Sequence, residues 1–343
     1  MPEVLKVGSV TANPGETRWG SATSVELRDG TRVSLPVMVA NGKENGARLV
    51  ITAATHPTEI VGVRVVQNVF RSKIDASKLK GSIVAFPIAN PLGMQFGEYV
   101  SPHDLTNMSV AYPGAKDGGP TSRLANFIWE NAATHADLVM DFHENVKPCL
   151  HFSLVHQAKP EIANKALEAA RAFGITLIRG SNAQFALPGT KSGDLTFSGV
   201  CLNNGIPAFT PEFEGSTEMS FTEKEPSVRA AVRGVLNVLK QLGMIEGAIE
   251  PQTEIRVLKG NFEFWGMAKA DRAGIVHRLV DVGTKLSKGT PIAKIVNAFG
   301  DELETIEMPT DGYLWGWTVG NPATNRNWSV QCGGTIAFVF RET

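Results

Sequence analysis

The amino-acid sequence predicts an α/β fold with a largely parallel sheet flanked by helices, followed by a smaller all-β domain. Between residues 48 and 243, short apolar runs alternate with amphipathic stretches, as in chains whose strands and helices alternate around a parallel sheet. After residue 247 helical periodicity is lost, and glycines separate short apolar stretches. We therefore divide the chain into a domain over residues 1–248, which begins with short strands, and a β-domain over residues 249–343.

The elements follow from local patterns. Residues 1–45 alternate polar and apolar positions between glycines, which predicts short strands. Apolar runs predict buried strands at 49–54, 83–88, 138–142, 175–178 and 206–210. Apolar residues at helical spacing predict helices at about 59–70, 122–131, 160–173 and 226–242. Gly174 and Gly243 suit positions just after a helix, and Pro226 suits a first helical turn.

The C-terminal stretches 282–289 and 308–312 are typical of the small flattened barrels that carry lipoyl or biotinyl groups. A carrier domain presents its lysine at a hairpin tip, between two methionines or beside an aspartate, and this chain has no such lysine. We therefore expect a structural or substrate-gating β-domain rather than a covalent carrier.

Composition excludes several classes of function. Lysine and arginine total 33 and aspartate and glutamate 34, so a net charge of −1 gives no electrostatic footprint for nucleic acid. The odd count of three cysteines favours a reducing compartment. The first residues lack a signal-peptide pattern, and no run approaches the roughly 18 apolar residues of a membrane span. We expect a cytoplasmic protein with neither nucleic acid nor membrane as a partner.

Candidate metal ligands occur where two predicted strands end. His56 and Glu59 follow the first strand of the α/β region, and His143 follows the strand at 138–142. Taken alone, a His-x-x-Glu pair is also common at a capped helix start. Two imidazoles and one carboxylate at neighbouring strand ends make the ligand set of a catalytic zinc with an open position. Asp141 lies two residues before His143 and can orient that histidine or, alternatively, cap a helix.

A third acidic segment, 210–215, follows the strand at 206–210 and contains Glu212 and Glu214. A carboxylate beside a zinc-activated water can take its proton and pass it to a leaving amine. The alternative for Glu212 is a surface ion pair with a lysine. Its place at a strand end beside the expected metal favours the catalytic role.

With these motifs the chain resembles the succinylglutamate desuccinylase/aspartoacylase family of zinc-dependent amide hydrolases, related to the zinc carboxypeptidases. The family's His-Gly-x-Glu motif matches residues 56–59, with Pro57 in place of glycine, and its Asp-Leu-His motif matches residues 141–143. Its Pro-x-x-Thr-x-Glu stretch matches residues 207–212, which implies Glu212 as the base. The resemblance implies a zinc-carboxypeptidase-like mixed sheet and one Zn²⁺ per chain, held by His56, Glu59 and His143.

The sequence departs from the family pattern in the segment from Asn90 to Gly114. The arginine that helps to stabilise the oxyanion in the family aligns with Tyr99, and the Asn-Arg pair that binds the substrate carboxylate aligns with Ser109 and Val110. An arginine fork makes about two charge-assisted hydrogen bonds, each worth roughly 1.5–3 kcal/mol. We therefore expect that N-acetylaspartate and N-succinylglutamate are not favoured substrates, unless Arg123 or Arg179 extends into the pocket.

Other groups are candidates for the missing roles. Tyr99 or a protonated His103 could donate to an oxyanion, although Tyr99 could equally fill space. Ser109, Glu144 and Arg179 are candidate substrate contacts, with Glu144 suited to a cationic or hydroxylated group or, alternatively, to solvent.

The leading hypothesis is a zinc-dependent hydrolase of a linear amide, an N-acyl amine or N-acyl amino acid. The alternatives are an ester or cyclic-amide hydrolase with the same metal site, and a catalytically weak relative that binds a small molecule. The expected partner is a small-molecule amide, and the edges of the β-domain favour a homo-oligomer.

Overall fold

In the computed structural model, which describes residues 2–180, 195–215, 219–319 and 328–343, a large mixed sheet is flanked by helices and extends into the C-terminal region. The strands are β1 (Leu5–Val7), β2 (Val10–Ala12), β3 (Glu16–Glu26), β4 (Arg32–Asn41), β5 (Glu44–Thr52), β6 (Lys80–Phe86), β7 (Leu138–Asp141), β8 (His143–Asn145), β9 (Phe152–His156), β10 (Thr176–Gly180), β11 (Ala208–Glu214), β12 (Phe262–Lys269), β13 (Gly274–Arg278), β14 (Lys285–Leu286), β15 (Pro291–Val296), β16 (Glu302–Glu307), β17 (Gly312–Trp317), β18 (Ser329–Val330) and β19 (Thr335–Glu342). The helices are α1 (Val61–Asn68), α2 (Pro91–Met94), α3 (Pro120–Asn131), α4 (Pro160–Phe173), α5 (Phe197–Asn203) and α6 (Phe221–Gln241). A π-helical turn covers Val69–Lys73, and 3₁₀ turns cover Ala76–Lys78, Met108–Val110 and Ala133–His135.

The main sheet has the strand order β14-β17-β19-β12-β10-β9-β11-β7-β5-β6-β4-β3, and β8 also pairs with β11. At its centre β6, β5, β7 and β11 are parallel, whereas β9 runs antiparallel to β11. The carboxyl ends of the parallel strands therefore meet at one edge, where open α/β sheets place their ligands. The predicted mixed, mostly parallel fold is confirmed at this centre.

The prediction of short strands over residues 1–45 is wrong for β3 and β4. They form an antiparallel hairpin with 11 and 10 residues in its two arms. Along β4 the alternating burial of Val33, Leu35 and Val37 changes to continuous burial from Val37 onward, where the strand pairs with β6. Polar–apolar alternation describes only the outer half of this strand, because the inner half is covered on both faces.

The start of α6 also differs from the prediction. The helix begins at Phe221, so Pro226 lies inside it rather than in its first turn. Ser220 and Glu223 form a capping box: the Ser220 hydroxyl accepts from the Glu223 backbone N–H at 3.2 Å, and the Glu223 carboxylate accepts from the Ser220 N–H at 2.8 Å. These reciprocal bonds satisfy backbone donors at the true helix start.

The described residues of the C-terminal region form strands without a helix, as predicted, and these strands pair with one another in antiparallel directions. Strands β13, β15, β16 and β18 form a second sheet that packs against β12, β17 and β19 across an apolar layer containing Ile295, Trp317 and Val339. Strand β12 also pairs in parallel with β10, so the sheet is continuous across the predicted division at residue 248. Trp315 Nε1 donates to the carbonyl of Leu150 at 2.9 Å and links the C-terminal strands to the segment that follows β8. No helix among the described residues is long and apolar enough to cross a membrane.

Helix α1 approaches the central strands closely at Gly62. A Cβ atom on Gly62 would lie 2.6 Å from the Cβ of Phe142 and 2.8 Å from the Cβ of Ala53. Phe142 directly precedes His143, and Ala53 directly follows β5. The absence of a side chain at Gly62 therefore sets the spacing between α1 and the two strand ends that precede the candidate ligands.

Replacing Gly62 by alanine is predicted to destabilise the protein by about 1–3 kcal/mol, because the added methyl group overpacks this contact. Helix propensity alone predicts the opposite, a gain of about 1 kcal/mol. Urea unfolding followed by circular dichroism measures the change. The control is Gln67→Ala on the exposed side of the same helix, expected to stay within about 0.5 kcal/mol of wild type. A Gly62→Ala protein at least as stable as wild type would contradict the prediction.

Candidate metal centre

Adjacent strands bring the candidate residues together. Thr52 at the end of β5 pairs with Asp141 at the end of β7, and His143 pairs with Glu212 across β8 and β11. After β5 the chain turns at Ala54, which has a positive φ of 48°, an uncommon value for a residue with a Cβ atom. His56 and Glu59 follow this turn before α1 begins.

The ligand atoms of His56, Glu59 and His143 all lie within 4.8 Å of one another, and the three side chains are buried. His56 Nδ1 lies 2.8 Å from Glu59 Oε1, and His143 Nδ1 lies 2.9 Å from Glu59 Oε2. The two Nδ1 atoms are 3.2 Å apart. One carboxylate and two imidazole nitrogens thus converge on a common point.

The second nitrogen of each imidazole ring faces an acceptor. His143 Nε2 lies 3.0 Å from Asp141 Oδ2, and Asp141 Oδ1 accepts from the Thr52 hydroxyl at 2.6 Å. His56 Nε2 lies 3.2 Å from Asn107 Oδ1. The backbone N–H of Ser109 donates to the same Oδ1 at 2.9 Å, which identifies that atom as the amide oxygen. Both Nε2 atoms therefore carry a proton, which leaves the two Nδ1 atoms as the positions that can offer a lone pair to a cation at the common point.

This arrangement fits a divalent metal ion. Two lone pairs that face each other at 3.2 Å repel unless a proton or a cation lies between them. Two imidazoles and one carboxylate make the protein ligand set of catalytic zinc sites, in which water or substrate completes the tetrahedron. Asp141 and Asn107 match the outer partners that fix the tautomer of metal-binding histidines.

The charges of the cluster favour ionised Glu59. Burial opposes its ionisation, but His56 and His143 lower its pKa to about 2. Burial likewise opposes protonation of His143, yet Asp141 and Glu59 raise its pKa well above the usual value. The centre without metal therefore attracts positive charge, which is the electrostatic requirement for a cation site.

Glu212 lies on the strand beside His143. Burial raises its pKa to about 8; His143 opposes this shift, and Glu59, Asp141 and Glu144 add to it. Such a carboxylate is a stronger base than one in water, because its charged form is poorly solvated. Three carboxylates and one imidazole are thus the main charged groups that act on Glu212 among the described residues.

Comparison with known proteins decides the family. The sequence model of the succinylglutamate desuccinylase/aspartoacylase catalytic domain matches residues 45–242, more than half of the chain. The chain belongs to this family. The predicted resemblance is thereby confirmed, and membership supports amide hydrolysis as the class of reaction.

Individual relatives of the chain are distant but cover nearly all of it. The N-alpha-acetyl-L-2,4-diaminobutyric acid deacetylase of Halomonas elongata is 23% identical over 330 residues, which make up 94% of this chain and 87% of the relative. The fold matches a succinylglutamate desuccinylase/aspartoacylase of Rhodobacter sphaeroides with a TM-score of 0.78, 22% identity and 95% coverage of each chain. It also matches the product-bound ectoine utilization protein EutE (DoeB) of Ruegeria pomeroyi with a TM-score of 0.79 and 19% identity. This match covers 97% of this chain and 98% of the other.

Tyr99, which aligns with an arginine of the family pattern, lies against the ligand cluster. Its ring stacks on that of His56 with the centroids 3.7 Å apart and an angle of 14° between the planes. Burial raises the pKa of its hydroxyl well above the usual value, and Glu59 and Glu212 add to the shift. Tyr99 thus remains protonated and keeps an O–H donor beside the ligands.

Two other candidates of the same segment have different surroundings. The Ser109 hydroxyl is buried and has no hydrogen-bond partner among the described residues, while its backbone orients Asn107. His103 packs edge-on against Phe96 with ring centroids 5.4 Å apart, and its Nε2 is buried without a described partner. Ser109 is thus connected to the His56 ring through hydrogen bonds of Asn107. His103 instead packs against the ring of Phe96.

The two arginines considered as replacements, Arg123 and Arg179, have other surroundings. Arg123 donates to the backbone carbonyl of Glu26 at 3.0 Å. Arg179 has an exposed side chain on β10 and lines a groove with His156 and Asn164. That groove does not include the three ligands.

Glu144 points away from the ligand cluster. Its carboxylate accepts from the backbone N–H of Val61 at 2.6 Å and forms a buried ion pair with Lys224. Burial raises the pKa of Glu144 to about 7, although Lys224 lowers it. Neither Lys224 nor Asn107 was expected from the sequence, since each lies far along the chain from the residue that it contacts.

Asp141→Asn is predicted to weaken zinc binding about 10- to 100-fold, because an amide can donate to His143 Nε2 and shift the ring proton to Nδ1. Competition with a chromogenic chelator measures the dissociation constant. The same change at Asp75, which caps an exposed 3₁₀ turn, is the control and is expected to leave zinc binding unaltered. Wild-type affinity in Asp141→Asn would show that the carboxylate does not set the tautomer.

Proposed function

We propose that the protein is a zinc-dependent hydrolase of linear amides, acting on an N-acyl amine or N-acyl amino acid. The observation that carries the proposal is the convergence of two imidazole nitrogens and one carboxylate beside a half-buried glutamate on the neighbouring strand. Zn²⁺ bound by His56, Glu59 and His143 would polarise the acyl carbonyl and lower the pKa of water.

Glu212 supplies the proton transfers of this reaction. As general base it takes a proton from the attacking water, whose oxygen bonds to the acyl carbon. When the carbon–nitrogen bond breaks, Glu212 returns that proton to the departing nitrogen, which leaves a carboxylic acid and an amine. Its raised pKa suits both transfers, and a cation at the ligands would act in the opposite direction and bring the pKa down.

We assign the oxyanion donor to Tyr99 rather than His103. The Tyr99 ring lies directly on a ligand, and its hydroxyl stays protonated. A donor beside the developing oxyanion stabilises the transition state more than the ground state. The partner-free hydroxyl of Ser109 is the nearest candidate for a neutral substrate contact in this segment.

The side chain of the substrate is proposed to be neutral or cationic. Tyr99, Ser109 and Val110 stand where the family pattern has its anion-binding residues, and acidic groups dominate the surroundings of Glu212. The deacetylase of Halomonas elongata is named for a substrate with a second amino group, which agrees with this preference.

Glu212→Gln is predicted to keep zinc near one equivalent per chain and to lower kcat about 10²- to 10⁴-fold, because the amide cannot take the proton. Zinc analysis and steady-state hydrolysis of an N-acetyl amino acid test this. The matched control is Glu214→Gln, two residues along the same strand, where the carboxylate accepts from the Cys149 N–H; its kcat is expected to stay within about threefold of wild type. A fully active Glu212→Gln protein would overturn the proposed mechanism, and a metal-free wild type would overturn the zinc assignment.

N-acetyl amino acids with cationic or neutral side chains are predicted to exceed N-acetylaspartate and N-succinylglutamate in kcat/KM by about 10- to 100-fold. This factor corresponds to one charge-assisted hydrogen bond, worth roughly 1.5–3 kcal/mol, that an arginine of the family pattern would make to an acidic substrate and that this chain lacks. The assay compares N-acetyl derivatives of ornithine, glutamine and aspartate, together with N-succinylglutamate. Efficient turnover of either acidic compound would refute the preference. Cleavage of acetyl esters with no cleavage of amides would favour the ester alternative.

A further inference from the structure

Glu144 and His143 are neighbours on β8 whose side chains leave opposite faces of the sheet, as successive strand residues do. The His143 side chain faces His56 and Glu59, and the Glu144 side chain faces helices α1 and α6. The side chains of Glu144 and Lys224 are each only 3% exposed. A carboxylate that water cannot reach is thus attached to the backbone of a metal ligand.

Glu144 replaces a missing cap on α1. The N-cap residue of α1, Ile60, has no side chain that can accept from the helix N–H groups. The Glu144 carboxylate accepts from the N–H of Val61, the first helical residue, at 2.6 Å. Its negative charge also lies at the positive end of the helix dipole. Because Glu59 lies two residues before Val61, this bond connects the segment of one ligand to the strand of another.

A lysine at position 224 is energetically unfavourable for the helix that contains it. Lys224 is in the first turn of α6, where the helix dipole disfavours a cation, and only 2% of the residue is exposed. Neither burial nor helix stability explains a lysine here, since an apolar side chain of similar volume is often as stable as a buried ion pair. What Lys224 adds is a fixed position for the Glu144 carboxylate.

The end of β11 also makes room for this pair. A Cβ atom on Gly215 would lie 2.2 Å from a carboxylate oxygen of Glu144. Gly215 follows three residues after Glu212. Glu144 lies on β8 together with His143. Its carboxylate contacts the start of α1, the first turn of α6 and the end of β11.

We propose that the buried Glu144–Lys224 pair is a positioning device that fixes the strand of His143 against the start of α1, and so holds the three ligands at metal-binding distance. The proposal rests on the proposed function, because it assumes that His56, Glu59 and His143 bind zinc. Glu144 and Lys224 are positioning residues, and neither contacts the metal.

The test replaces the pair by two methionines, Glu144→Met with Lys224→Met, which leaves no buried charge without a partner. Circular dichroism checks folding, and chelator competition gives the zinc dissociation constant. The constant is expected to rise about 10- to 100-fold, whereas the urea midpoint of the metal-free protein falls only slightly, because the Val61 N–H loses its acceptor. Lys224→Arg retains the ion pair and is expected to stay within about threefold of wild type. If the double variant does not fold, Glu144→Gln with Lys224→Met takes its place; it leaves no unpaired buried charge and keeps an acceptor for the Val61 N–H, with the same expected rise.

A stability control separates positioning from general weakening of the fold. Val235→Ala removes buried apolar volume from the same helix, away from the pair, and should lower the urea midpoint without changing zinc affinity. Unchanged zinc affinity in the double variant would overturn the proposal. A loss of zinc affinity in Val235→Ala that parallels its loss of stability would overturn it as well. A wild type that binds no zinc would instead overturn the proposed function itself.

Discussion

The hydrogen bond between Asp141 and His143 is the interaction on which the site depends. It assigns the His143 proton to Nε2, and Thr52 on the neighbouring parallel strand holds the carboxylate in place. Asn107 does the same for His56 with an amide oxygen. Without these two acceptors the Nδ1 atoms would have no fixed lone pair to offer to a cation. The geometry that suits this cluster to a metal ion is therefore set by partners outside the three candidate ligands.

The two faces of the central strands carry different groups of residues. On one face lie His143 and Glu212, which would carry the chemistry; on the other lie Glu144 and the aromatic core against α4 and α6. Close approach at Gly62 and the carboxylate of Glu144 both set the spacing between this sheet and α1. The proposed preference for substrates with a neutral or cationic side chain rests on Tyr99, Ser109 and Val110 in place of the anion-binding residues of the family pattern, and on the carboxylates near Glu212.

Much of this arrangement was predictable from sequence because it depends on local patterns. Helix α4 occupies the predicted residues, and His56, Glu59 and His143 follow strands whose apolar runs are plain. Asn107 was not predictable, because its contact with His56 depends on the path of a loop 51 residues away. Lys224 could not be paired with Glu144 for the same reason, across 80 residues. The start of α6 was predicted from Pro226, whereas the capping box of Ser220 and Glu223 begins the helix earlier in the chain.

X-ray absorption at the zinc edge, on protein loaded with one equivalent of zinc, tests the metal centre most directly. The structure predicts two imidazole nitrogens and only oxygen besides them, at about 2.0–2.2 Å, with one imidazole lost in His143→Ala. A sulfur neighbour at about 2.3 Å, or a spectrum that His143→Ala leaves unchanged, would contradict the assignment of the metal to His56, Glu59 and His143.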